Sequence, residues 1–214
     1  MSVFTLVPVK KLSETKKRLS SILNAEERRA FALAMLLDVL RAISASSVDK
    51  MVLIGSDTDV KRVSLDWEAA FLSDTGEELN QVLQYATGWS VHRGAEAVLV
   101  LPTDVPLVTS EDIDQIISLC SDRPSVAVSP SSRRGTNALM RNPPRVMPTY
   151  FGPDSFKRHL HEASKLGIRA TIYESASLSL DIDLPRDLKL LLKLGEGTAS
   201  KHFLESNHID KRFE

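Results

Sequence analysis

The stretch AVLVLPTDVPLVTSEDI, residues 97–113, packs a strand, a turn and a helix start into seventeen residues. Its first five residues are an apolar run of strand length. Pro102 and Pro106 then hold Asp104 in a short rigid turn, and Thr109 with Asp112 three residues on forms a capping box ahead of Ile113, Ile116, Ile117 and Cys120 at helical spacing. A strand that feeds a helix through a turn carrying a carboxylate is the repeating unit of an α/β sheet. Asp104 leaves the carboxyl end of that strand, which is where such sheets bind ligands.

Working outward, the same alternation recurs. Apolar runs at 3–9, 51–55, 69–72 and 125–129 read as further strands. Asn24 with Glu27 caps a helix whose face is Leu33, Leu36, Leu37, Leu40 and Ile43, and Thr75 with Glu78 is expected to open another before Val82, Leu83 and Ala86. Strand and helix alternating in this way predict an α/β fold of the doubly wound type, a single mixed, mainly parallel sheet flanked by helices. After residue 130 the pattern changes. NALMR, a proline-rich turn, a helix over about 154–166 ending at Gly167, and ATIYE are expected to add antiparallel or mixed strands to the same sheet or to form a lid. We expect one domain over 1–200, with a nucleotide-binding half (1–130) and an acceptor-binding half (131–200), followed by a tail at 201–214 that shows no clear period.

Composition narrows the partners. The chain has 214 residues, 43% hydrophobic and 26% charged, with a net charge of −1, so nothing in its overall charge favours nucleic acid or a membrane surface. One cysteine, Cys120, excludes an intrachain disulfide and a cysteine-built zinc cage. With no apolar run near the ~20 residues that cross a bilayer, a cytoplasmic, unanchored protein is expected.

Three features carry chemistry. The first strand runs into KKLSETKKRL, residues 10–19, a basic loop without glycine that suits a cradle for phosphates, though the charge run by itself reads more readily as an exposed helix start with solvated lysines. Neither a Walker loop nor a dinucleotide fingerprint occurs. Late in the chain, SLSLDIDL (177–184) alternates polar and apolar residues. As a strand it would bury Leu178, Leu180, Ile182 and Leu184 and present Asp181 and Asp183 together about 7 Å apart, with a repulsion on the order of 2 kcal/mol that water or a divalent cation would relieve. Asp104, Asp181 and Asp183 offer only hard oxygen donors, which favours Mg²⁺ over zinc or copper. Acids on a cation facing a basic loop suit phosphoryl or nucleotidyl transfer. No activated nucleophile is evident, and a phosphate-bearing acceptor would need none, being mostly dianionic at neutral pH.

Together these blocks resemble the 2-phospholactate guanylyltransferases of coenzyme F-420 synthesis, whose fold is similar to that of the molybdopterin-guanine and sugar-nucleotide pyrophosphorylases. The likeness covers roughly residues 3–190. It is carried, in order, by VPVKKLSETKKRL, SDTGEELNQVL, PTDVP, GTNALMRNPP, YFGPDSFKRHLHEA and LSLDIDLPRDL. The resemblance implies that Lys10, Lys16 and Arg18 handle the polyphosphate of GTP, that Gly76 and Asn80 lie near the nucleotide, and that Asp104 is a metal aspartate. It further implies that Thr136, Gly152 and Ser155 hold the acceptor, a phosphorylated 2-hydroxy acid. The start of the helix at Ser155 suits an anion, since free N–H groups and the helix dipole point there. His159, one turn on, is either a core histidine or a contact near Ser155 or the acceptor. Thr15 and Lys17 depart from the family's loop, where a small Ala and a Ser or Thr are expected, and Arg133 or Arg134 is a candidate aid to the acceptor anion. Lys16, Arg18 and Asp104 are the expected catalytic residues. Phosphoenolpyruvate or 3-phosphoglycerate as acceptor, a non-catalytic nucleotide sensor, and a sugar transferase with an Asp-x-Asp site are the competing readings. Related folds often pair, so a homodimer is expected.

Overall fold

The computed structural model describes residues 1–74, 76 and 78–213. Its centre is a seven-stranded sheet: β1 (Val3–Pro8), β2 (Lys50–Gly55), β3 (Ala70–Ser73), β4 (Ala97–Val100), β5 (Ser125–Pro130), β6 (Thr136–Asn142) and β7 (Arg169–Ile172), in spatial order 3-2-1-4-6-5-7. All pairings are parallel except those of β6, which runs antiparallel to both β4 and β5. That reversal shapes the site. The amino end of β6 comes to the same rim as the carboxyl ends of β1 and β4, so Thr136 and Asp104 line one cavity although they belong to different halves of the chain.

Strand alternation divides the apolar residues between two cores. On one face Val3, Val7, Leu99 and Met140 pack with Leu36, Val39, Leu40 and Ile43 of α1 (Ala25–Ser44), Val60 of α2 (Thr58–Asp66), and Ile113 and Ile116 of α4 (Ser110–Ser118). On the other, Phe4, Leu6, Val98 and Val100 pack with Val82, Leu83 and Ala86 of α3 (Leu79–Val91) and Ala163 of α5 (Ser155–Lys165). Helices therefore cover both faces, as the alternation predicts.

The capping boxes at Asn24/Glu27 and Thr109/Asp112 both form. The helix expected to open at Thr75 instead begins at Leu79 with Glu78 at its cap, and Thr75 itself lies outside the described residues.

Two segments differ from expectation. SLSLDIDL is not a strand: residues Ala176–Ser179 form the short helix α6, and the chain then runs extended without a sheet partner up to α7 (Pro185–Leu194). Leu178, Leu180 and Ile182 are buried as expected, but Leu184 is only half-buried and Asp181, expected on the open face, is itself buried, so the alternation serves loop packing rather than a ladder. Ser175 caps α6 by accepting from Leu178 N–H, a local bond that competes with strand pairing. The tail is folded as well. α8 (Ala199–Ser206) packs on α1, with Leu204 and Ile209 buried beside Phe31 and Met35. Asp38 of α1 accepts hydrogen bonds from Ala199 N–H (2.6 Å) and Ser200 N–H (2.9 Å), so one buried carboxylate caps the helix from outside it. No such long-range cap is visible as a period in the tail's own sequence. No helix among the described residues is long and apolar enough to cross a membrane.

Candidate active site

A cavity of about 480 Å³ opens at the carboxyl rim of β1 and β4. Lys10, Lys16, Lys17 and Arg18 line one part of it, Asp104, Asp181 and Asp183 another, and Thr136, Gly152 and Ser155 a third.

The basic loop holds its shape without glycine because two leucines anchor it. Leu12 and Leu19 are buried, each within a single 3-10 turn (Leu12–Glu14 and Lys17–Leu19), and Leu12 N–H donates to Asp57 Oδ2 at 2.8 Å. Between the turns Lys16 takes a left-handed backbone (φ 51, ψ 34), which costs an L-residue on the order of 1 kcal/mol. The result is that its side chain dives inward. Lys16 Nζ donates to Asp104 Oδ2 at 3.1 Å and to Asp183 Oδ1 at 2.9 Å. Burial alone would lower the proton affinity of this ammonium, but the two carboxylates outweigh it and hold Lys16 above the usual lysine range. Asp183 shows the reverse: burial raises it, Lys16 lowers it more, and it stays ionised below the usual range. Arg18 remains exposed, with Nη1 3.9 Å from Asp183 Oδ2.

The acids converge through the backbone as well. Ile182 N–H, between the two late aspartates, donates to the carbonyl of Asp104 at 2.8 Å, fastening the Pro102–Pro106 turn to the 181–183 segment. Arg133 locks that segment from behind. Its Nη2 donates to the carbonyl (2.7 Å) and Oδ2 (2.6 Å) of Asp181, and its Nη1 donates to Asp187 Oδ2 at 3.0 Å. Asp187, the third residue of α7, also accepts from Asp183 N–H and Leu184 N–H. Arg133 is thus spent on the acids and does not line the cavity, while Arg134 is exposed, 3.9 Å from Asp154. Among the described residues Oδ1 of Asp181 is buried with no partner, and burial, with Asp104 adding to it, raises this carboxyl despite Arg133. Among the described residues no three His, Cys, Asp or Glu side chains are disposed as a metal cage. Lys16 stands between Asp104 and Asp183, and Arg133 holds Asp181.

The third wall is built by α5 and β6. Gly152 (φ 130) and Asp154 (φ 53) turn the chain into α5, where Ser155 is buried at the first position. Two of the N–H groups expected to be free there are taken: Ser155 N–H donates to Gly152 O and Phe156 N–H to Arg134 O. The helix dipole and the Ser155 hydroxyl remain. His159 is fully buried and lies behind the wall, outside the cavity lining. Tyr150 N–H donates to its Nε2 at 2.8 Å, so the ring proton resides on Nδ1 and is donated to Thr136 Oγ1 at 2.9 Å. Thr136 accepts that bond and keeps its own hydrogen for the cavity. Burial, with Arg141 and Arg158 nearby, pushes His159 down to about 4, which fixes it neutral.

Gly76 and Asn80 do not line the cavity. Gly76 (φ 86) closes a turn in which its N–H donates to Asp74 Oδ1. Asn80 pairs its side-chain amide with the backbone of Phe151, accepting from N–H at 2.8 Å and donating to O at 3.0 Å, and so ties α3 to the loop before Gly152. Sequence reasoning left Asp187 unremarked and offered Arg133 or Arg134 to the acceptor anion, whereas Arg133 here bonds Asp181 and Asp187. The signal for Asp187 was its place three residues after Leu184, at the start of a helix with Pro185 at its first position.

Comparison with known proteins gives the family and the fold. The family model described as "Guanylyl transferase CofC like" matches residues 3–214. A phosphoenolpyruvate guanylyltransferase of Thermobaculum terrenum is 35% identical over 88% of this chain and 82% of its own length. A 2-phospho-L-lactate guanylyltransferase of Methanothermobacter thermautotrophicus is 33% identical over 95% of this chain and 90% of its own. In fold, the chain is similar to a Desulfovibrio desulfuricans protein described as a nucleotide-diphospho-sugar transferase, with TM-score 0.80 at 15% identity, covering 99% of this chain and 98% of that one. With a matching family model over residues 3–214 and relatives of 33–35% identity along most of its length, the chain belongs to the CofC-like guanylyl transferases.

Proposed function

We propose that this guanylyltransferase moves GMP from GTP to the phosphate of (2S)-2-phospholactate, giving lactyl-2-diphospho-5'-guanosine and pyrophosphate in coenzyme F-420 synthesis. The reading rests on one observation: a single cavity has Lys10, Lys16 and Arg18 on one side, Thr136, Gly152 and Ser155 on another, and three aspartates between. An acceptor phosphate oxygen attacks the α-phosphorus of GTP, the bond from that phosphorus to the bridging oxygen of the β-phosphate breaks, and pyrophosphate departs carrying the electron pair. No protein base is needed, because the attacking monoester is already mostly dianionic at neutral pH.

The residues of the chain divide the work. Lys10, Lys16 and Arg18 offset the negative charge that develops on the leaving pyrophosphate. Thr136, oriented by His159, donates its free hydrogen to the acceptor, and Ser155 contributes its hydroxyl beside the positive end of α5. Asp104, Asp181 and Asp183 are read as the seat of Mg²⁺. Carboxylate oxygens suit that ion, and the unpartnered buried oxygen of Asp181 is a donor short of a cation. Bound there, Mg²⁺ would supply Lewis-acid stabilisation of charge on the transferring phosphoryl group. Arg133 keeps Asp181 in place whatever the cation.

Phosphoenolpyruvate is the second acceptor reading, favoured by relatives of that name in Thermobaculum, Rubrobacter and Roseiflexus at 35–37% identity. A pyrophosphate-release assay crossing the common nucleoside triphosphates with 2-phospholactate, phosphoenolpyruvate and 3-phosphoglycerate, with and without Mg²⁺, tests the proposal. Turnover is expected with GTP, Mg²⁺ and a 2-phospho acid. Release with another nucleotide in preference, or with no pair at all, would overturn it.

A further inference from the structure

A second cavity, of about 530 Å³, lies behind the loop that carries Phe151 and shares no lining residue with the first. Arg141 of β6 and Arg145 line it together with Thr87, Thr149, Gln81 and Gln84, and among the described residues no acidic one does. Arg141 is only 3% exposed. It sits in the middle of the sheet, paired in register with Val98 and Val126, at a position whose same-face neighbour two residues back is the buried Leu139. An apolar side chain would complete that core. A guanidinium there brings a charge the fold does not need.

Among the described residues no carboxylate pairs with that charge. Arg141 Nη1 donates to Met147 O at 3.1 Å and Nη2 to Thr87 Oγ1 at 2.8 Å, both neutral acceptors, and Nε is buried without a partner. A guanidinium carries five N–H donors, so most of its capacity is unused. Burial with no carboxylate to offset it pushes Arg141 down to about 10. Arg145 is exposed at the rim and adds a second guanidinium to the same cavity. Buried charges are normally paired, and arginine is the side chain best matched to the paired oxygens of a carboxylate or phosphate.

We propose that this cavity binds a small oxyanion, the carboxylate or phosphate group of a metabolite, at a site separate from the guanylyl-transfer cavity. The ligand's paired oxygens face Arg141, Arg145 closes over them, and the Thr87, Thr149 and glutamine side chains supply neutral hydrogen bonds. The inference stands independently of which acceptor the first cavity takes.

Isothermal calorimetry on the full chain tests it, with inorganic phosphate and malonate as separate probes of the two chemistries. The wild type should bind at least one of them. Arg145→Gln, a change at an exposed position that should leave the melting profile intact, should weaken that binding about tenfold or more. Lys16→Met, which alters only the first cavity, should leave it unchanged. Arg141→Gln, provided its melt shows a folded chain, should abolish it. Absence of binding by both probes, an Arg145→Gln isotherm equal to that of the wild type, or loss of all binding in Lys16→Met would each overturn the proposal. So would sedimentation showing a wild-type dimer that Arg145→Gln dissociates while neither probe binds, since the occupant would then be an acidic side chain of a second copy.

Discussion

Lowering the pH should weaken this fold through one buried ring. His159 has a proton affinity near 6.5 as an ordinary histidine and about 4 here, because burial and the charges of Arg141 and Arg158 oppose the imidazolium. Its two nitrogens are also committed, Nε2 as acceptor from Tyr150 N–H and Nδ1–H as donor to Thr136, and a second proton would break the first of these bonds. The sign follows from linkage. Between those two values the unfolded chain binds more protons than the folded one, so stability rises with pH across the window and is lost as pH falls through it. The full penalty is about 3 kcal/mol, of which about 2 kcal/mol is lost on going from about pH 7 to about pH 5. Urea unfolding of the wild type and His159→Gln at both pH values isolates the effect, since other titrating groups cancel in the double difference. The wild type should lose about 2 kcal/mol more than the variant over that interval. Equal losses in the two proteins would refute the assignment of a neutral, doubly committed histidine. Because His159 orients Thr136, the variant should also raise KM for the acceptor while leaving KM for GTP within about twofold.

Further predictions test the rest of the site and its support. Lys16→Met should reduce kcat about 10²- to 10³-fold by removing a cation from the transition state, read by pyrophosphate release; a loss below about threefold would place Lys16 outside the reaction. Arg133→Met leaves Asp181 without its cation and Asp187 with only the exposed Arg186, 3.8 Å away, and should cost about 2–4 kcal/mol of stability and at least about tenfold in rate, whereas Arg133→Lys, lacking the fork, should recover only part of either. Asp38→Ala removes the external cap of α8 and should cost about 1–3 kcal/mol in urea unfolding without altering turnover. An unchanged midpoint would show that the tail holds itself.

The sheet was legible because its strands are short apolar runs closed by capping boxes, and the box at Thr109/Asp112 forms as its residue types require. Asp104 was legible for the same reason, fixed between two prolines at the end of a central strand. What lay beyond reach was set by tertiary contacts. The alternation in SLSLDIDL resembles a strand, yet a serine cap, with the Asn137 amide bonding Leu178 O, bends residues 176–179 into a helical turn. The partner of Asp181 could not be read because Arg133 lies 48 residues away. Likewise the role of Asn80 is a bond to a backbone 71 residues distant. Local patterns therefore yielded the elements and the chemical types, while the question of which cation faces which acid needed the fold.

The central claim is that Lys16 and the three aspartates act on the α-phosphorus of GTP. Incubation with 2-phospholactate or phosphoenolpyruvate, Mg²⁺ and GTP labelled at the α-phosphorus measures this directly. The label should pass into a guanosine diphosphate ester of the acid, with unlabelled pyrophosphate released in equal amount, and neither product should form with Asp183→Asn. Label recovered only in GDP or free GMP, or transfer undiminished in that variant, would contradict the account.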